Sequence, residues 1–172
     1  MSVVDIWGFV YYNCKQRMRG YKMVAEIRFC SPVGKWWFLS PYAEFPIKME
    51  VDGSFYAFPT VEHYYQAMKF YASDKRFHDI LNLKNPDDAR LMTKKPAYKV
   101  NRRNDFEKNK YAIMEEGLKA KFAQNQEACK MLKDTGDAIL IKSCEVCYKC
   151  GFGEGSGFNR MGKILMKIRE EL

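Results

Sequence analysis

The chain has 172 residues, 47% of them apolar and 15% aromatic, and carries a formal net charge of +8. That length fits one domain of the usual ~100–200 residues, and the apolar share suffices to bury a core, which excludes an intrinsically disordered segment. No apolar run approaches the roughly 20 residues of a membrane span, and Met1 to Tyr12 shows neither a basic n-region nor a small-residue cleavage site, so a cytoplasmic protein with no membrane association is expected.

In chain order, residues 1–25 form an N-terminal extension with no readable role, and residues 26–172 form the domain. Short aromatic and β-branched stretches come first and helical patterns follow from about residue 60, an order that predicts an α+β domain, mostly helical with a small β-sheet. Glu26 to Phe29, Trp36 to Leu39 and Ser54 to Phe58 read as strands of one sheet, punctuated by Pro32, Gly34, Pro41 and Gly53. Thr60, after Pro59, is placed to cap a helix running to about Ala72. Asn85 before Pro86 is a second helix start. Asn104 with Glu107 three residues on forms a capping-box pair for a helix whose Phe106, Met114, Leu118 and Phe122 share a side, ending near Asn125. Ala138 to Ile141 reads as a further strand, and Gly151, Gly153, Gly155 and Gly157 mark a loop that exposes backbone. Asn159 is the expected cap of a last helix with Met161, Ile164, Leu165, Ile168 and Leu172 as its apolar stripe.

Two local features bear on ligands. Between Lys94 and Lys110, seven basic residues (Lys94, Lys95, Lys99, Arg102, Arg103, Lys108, Lys110) face only Asp105 and Glu107, an excess that attracts phosphates or simply keeps a surface solvated. Cys144, Cys147 and Cys150 have ligand-like gaps, and zinc with His63 or His78 as fourth ligand is conceivable. No second cysteine pair completes that pattern, so no metal and no cofactor is expected.

Phe38-Leu39-Ser40 with Phe45-Pro46-Ile47, the Thr60 to Phe70 run TVEHYYQAMKF, Lys121-Phe122, Leu132 with Thr135-Gly136-Asp137, and the Gly157 to Arg169 run GFNRMGKILMKIR follow one another in the chain. In that order they resemble the NADAR (YbiA-like) family of N-glycosidases. The resemblance implies hydrolysis of the bond between ribose (ADP-ribosyl or phosphoribosyl) and a base. Implied substrates are ADP-ribosylated guanine in nucleic acid, so that the reaction reverses ADP-ribosylation, and riboflavin-pathway intermediates. Two departures stand out. Where the family has Asp-x-x-Trp-Gly, this chain reads Cys147-Tyr148-Lys149-Cys150-Gly151, and a family Trp is replaced by Phe106. They leave a second reading open, a catalytically impaired module that binds ADP-ribose or nucleic acid without turnover.

On a helix, Glu62, Gln66 and Lys69 fall within about 40° of one another. That spacing also describes the polar face of any amphipathic helix; the motif around it favours a site. Glu62 is the catalytic candidate, able to stabilise the positive charge that develops at the anomeric carbon or to activate water. Lys69 is assigned to anchoring a phosphate ahead of acting as a Schiff-base nucleophile, because the apolar or cationic setting that lowers a lysine pKa is invisible in sequence. Tyr65 and Phe106 are candidates for stacking on a base, with core packing as the alternative. Gln66, Arg103, Gly151 and Asn159 complete the proposed substrate contacts, Asn159 either aiming helix amides at a phosphate or acting only as a cap. Cys147 stands at the family's Asp position, and Glu145, two residues earlier, carries a carboxylate that a small loop shift would bring there.

Overall fold

The computed structural model describes residues 24–30, 34–143 and 158–172. The extension up to residue 23, the cysteine segment and the glycine loop, and with them Glu145, Cys147 and Gly151, lie outside the described residues. Among the described residues the order is β1 (Glu26–Phe29), β2 (Ile47–Val51), β3 (Ser54–Phe58), α1 (Val61–Ala67), α2 (Lys75–Leu81), α3 (Pro86–Met92), α4 (Pro96–Lys99), α5 (Phe106–Gln124), α6 (Gln126–Lys133), β4 (Ile139–Lys142) and α7 (Arg160–Glu171). The α+β class expected from sequence is the one observed.

The single sheet is not. β1 pairs in parallel with β4, and β2 pairs antiparallel with β3, giving two two-stranded sheets among the described residues. A parallel partner requires a long crossover, and here it spans α1 to α6, so neighbouring strands in sequence do not become neighbours in space. β2, which the sequence reading passed over, joins β3 through Asp52 and Gly53 at φ 50° and 79°. Two positive φ values in succession make the tight hairpin turn for which Asp-Gly is suited.

Trp36 to Leu39 is a 3-10 turn rather than a strand. Trp37, Leu39 and Ser40 donate to the carbonyls of Gly34, Trp36 and Trp37, the i to i−3 pattern. Phe38 and Leu39 are both buried although adjacent. A turn inserts consecutive side chains into the core, whereas a strand points them to opposite faces.

The first helix starts as expected: Thr60 is extended at the N-cap and its hydroxyl accepts the His63 amide. It stops five residues early, at Ala67. Lys69 and Phe70 then bond back to the carbonyls of Gln66 and Ala67 in a tightened turn, and Asp52 accepts the Ala72 amide. The capping box at Asn104 also fails. Asp105 holds the N-cap without a side-chain cap bond, because its carboxylate is taken by Arg103. Phe106, Met114, Leu118 and Phe122 nevertheless form the buried side of α5.

Asn159 occupies the start of α7 in the left-handed region, φ 46°, and makes no cap bond. Its Oδ1 instead accepts the Lys142 amide at 3.0 Å and its Nδ2 donates to the Leu140 carbonyl at 2.8 Å. The side chain is thus a buried clamp between α7 and β4. Gly162 lets the helix come that close: a Cβ there would lie 2.0 Å from the Leu140 oxygen. Met161, Leu165 and Ile168 of the expected stripe are buried, while Leu172 is exposed. α1 packs against α2, α3 and α5, and Leu39, Phe58, Val61, Leu118 and Phe122 fill the space between with no exposed surface. None of the helices among the described residues is long and apolar enough to cross a membrane.

Candidate active site

The face predicted from spacing exists, and it points inward. Glu62, Gln66 and Lys69 are 5%, 3% and 8% exposed. Gln66 Nε2 donates to Glu62 Oε1 at 2.6 Å, and Gln66 Oε1 accepts from Lys69 Nζ. Lys69 Nζ also donates to Thr93 Oγ1 at 3.1 Å, and that hydroxyl donates to Gln66 Oε1 at 2.7 Å. Four side chains therefore form a closed polar network across α1 and the C-terminal cap of α3, Lys69 contributing from the tight turn that follows α1.

Burial pushes the Glu62 carboxyl above its ordinary range, opposed by the Gln66 hydrogen bond and the positive charges of Lys69, Lys142 and Arg90. Its surroundings are polar and cationic rather than apolar. Tyr42, beside the start of α1, has its phenol pushed up by burial and then by the Glu62 charge. The Glu62 amide itself is tied to the Pro41 carbonyl at 3.0 Å. The surface cleft lined by Lys133, Gly136, Asp137, Arg169 and Glu170 involves none of these residues.

Lys69 has the setting that sequence could not reveal. Burial, and then the Arg102 guanidinium, lower its ammonium from 10.5 to about 8, against the raising effects of Glu62 and Glu107. Tyr65 and Phe106 meet edge to face at 5.4 Å, and Lys69 Nζ lies 5.7 and 5.6 Å from their centroids. The two aromatic candidates are thus brought together with Lys69, Phe106 buried and Tyr65 half-buried. Burial and the nearby carboxylates push the Tyr65 phenol to about 12.

Arg103 is not part of this cluster through its side chain. Its guanidinium makes a two-pronged pair with Asp105 at 2.8 and 2.7 Å and lies 4.8 Å above Tyr71, while its amide donates to the Lys69 carbonyl. The adjacent Arg102 is the one that borders the network: its Nη2 donates to the Thr93 carbonyl at 2.6 Å. Asn159 reaches the neighbourhood only through the Lys142 backbone. The two histidines considered for zinc have other partners, His63 Nδ1 at 2.9 Å from Thr60 Oγ1 and His78 Nε2 at 2.8 Å from the Ala72 carbonyl. Sequence reasoning missed Tyr42, Arg90, Thr93, Arg102 and Lys142 as neighbours. Only Arg102 carried a signal, as part of the basic run.

A profile described as the NADAR domain matches residues 29–172. The Escherichia coli (strain K12) protein named N-glycosidase YbiA is 34% identical over 158 residues, covering 91% of this chain and 94% of its own length. The Zea mays chloroplastic riboflavin biosynthesis protein PYRR is 33% identical over 129 residues, 70% of this chain but 21% of that longer protein. The NMR structure of E. coli YbiA superposes with a TM-score of 0.73 at 34% identity, covering 91% of this chain and 89% of that one.

Proposed function

The chain belongs to the NADAR domain family, whose members include N-glycosidases, and from that premise we propose that it hydrolyses the bond between a phosphorylated ribosyl unit and a base. The observation that carries the reading is the buried Glu62–Gln66–Lys69 network beside the Tyr65 and Phe106 rings. An ordinary polar helix face would leave these groups in water.

Cleavage builds positive charge at the anomeric carbon, and Glu62, ionised next to it, would stabilise that charge or take a proton from the attacking group. Burial raises its pKa, which makes the carboxylate a stronger base than an exposed one. Lys69, with an ammonium lowered to about 8, holds an appreciable fraction of free amine at neutral pH. This supports a nucleophilic role over the phosphate anchoring that sequence alone favoured. The amine nitrogen adds to C1 of the ring-opened glycosylamine, the base departs as its own amine with the proton, and water hydrolyses the resulting imine to free the sugar aldehyde and Lys69. Tyr65 and Phe106, the two rings beside Lys69, are the surfaces on which the departing base would stack. Substrates in this class are ADP-ribose on guanine in nucleic acid and ribosylamine phosphates of riboflavin synthesis, the second in keeping with the name of the maize relative.

The test is product release from ADP-ribosylated guanine DNA and from a ribosylamine 5-phosphate, with borohydride added in parallel. Free sugar phosphate and a reduced adduct on Lys69 are expected. Tight binding with no release from either substrate would overturn hydrolysis and leave the binding module suggested by Cys147 and Cys150. Release without any adduct would return Lys69 to anchoring.

A further inference from the structure

In a buried site, a carboxylate and an ammonium on one face would ordinarily collapse into an ion pair. Such a pair favours both charged forms, raising the lysine and lowering the acid. Here the two groups are kept apart by one neutral side chain. We propose that Gln66 is a positioning residue that insulates Lys69 from Glu62, so that the amine and the carboxylate address one substrate instead of each other. This rests on the roles given to Glu62 and Lys69 above.

The direction of the amide follows from its partners. Its oxygen receives two donors, the Lys69 Nζ and the Thr93 hydroxyl, and its nitrogen faces the Glu62 carboxylate. An inverted amide would set N–H against the ammonium and oxygen against the carboxylate, giving repulsion at each end. Thr93, with no exposed surface, reinforces the orientation because its hydroxyl accepts from Lys69 while donating to Gln66. The charged groups around Lys69 are Glu62 on α1, Lys94 after α3, Arg102 before α5 and Glu107 on α5, two of each sign. Removing Gln66 would free Glu62, whose charge acts on Lys69 more strongly than that of Glu107, to move onto the amine. The opposite shifts at the two ends, Lys69 down and Glu62 up, are the reverse of what direct pairing produces.

The experiment follows the Lys69 side-chain carbon resonance by NMR across pH in the full chain without substrate, for the wild type, Gln66→Met and Gln66→Glu. Wild-type Lys69 should titrate near 8. Gln66→Met should raise the midpoint by a pH unit or more as Glu62 closes on the amine, and Gln66→Glu should raise it further. A wild-type midpoint in the ordinary lysine range, or a Gln66→Met midpoint that stays or falls as added apolar burial alone would cause, overturns the proposal. If one variant fails to fold, the other and the wild type still decide. No substrate enters the measurement, so its failure is distinct from a failure to release product.

Discussion

Lys69 and Lys121, two of the three lysines buried among the described residues, sit in contrasting surroundings. Lys121, in α5, has no exposed surface; its Nζ donates to the carbonyls of Phe38 and Ser40, and the rings of Phe45 and Phe122 lie 5.3 and 5.1 Å away. Burial alone lowers it to about 7. Lys69 keeps a little exposure, has side chains as partners and is shifted by other titratable groups as well as by burial. A low lysine pKa therefore does not by itself mark a site. Lys121 fastens the aromatic turn, and that turn ends at Pro41, whose carbonyl holds the Glu62 amide. Lys121 supports the frame, and Lys69 is the one to which the proposed reaction gives a chemical role.

The comparison breaks most readily at Glu62. Glu62→Gln should lower turnover by about two to four powers of ten, or roughly 3–5 kcal/mol of barrier. It should also stabilise the fold near neutral pH. A carboxyl whose folded pKa is raised contributes stability below its unfolded value of 4.5, and that contribution is lost as pH rises through the folded pKa. The gain should be present at pH 7 and vanish near pH 4, read by denaturant unfolding. Full activity in this variant would remove Glu62 from the mechanism.

The two lysines separate next. Lys69→Met should abolish the borohydride adduct, whereas Lys121→Met should retain it. Lys121→Met should instead cost about 2–4 kcal/mol of stability at high pH, since two buried carbonyls lose their donor. The cost should shrink as pH falls. Unfolded lysine titrates near 10.5 and folded Lys121 near 7, so between those values the unfolded chain binds more protons. Wild-type stability from this group is full above about 10.5 and is lost as pH falls toward 7, a slope the methionine variant lacks. Equal slopes in the two proteins would show that Lys121 is not held as described.

Much of the site's helix was legible because its signals are local. The Thr60 cap needs only one hydroxyl and the next turn, and the Glu62, Gln66, Lys69 face needs only helical spacing. The buried side of α5 and most of the α7 stripe follow from periodicity in the same way. Most of what failed depended on distant partners. Trp36 to Leu39 has strand-like composition, but Lys121, more than eighty residues later, binds the carbonyls of Phe38 and of Ser40 just beyond it. β2 was missed although Asp52-Gly53 signals a hairpin. Asn159 has the chemistry of a cap and spends it on β4. Thr93, between Met92 and Lys94, has no pattern to distinguish it from a surface threonine until Lys69 and Gln66 are brought to it.

The smallest effect expected is also the one that separates two residues of equal charge and adjacent number. Arg103 is neutralised by Asp105, while Arg102 is held by the Thr93 carbonyl with its charge directed at Lys69. Arg102→Ala should therefore raise the Lys69 midpoint by about half a pH unit to one unit, less than the Gln66 variants do, because one like charge is removed and no carboxylate is brought closer. Arg103→Ala should leave that midpoint in place and lower only the stability supplied by its pairing. The same Lys69 resonance reads both. A midpoint that moves with Arg103 and not with Arg102 would mean that net charge of the basic run, rather than the Thr93-anchored guanidinium, tunes the amine.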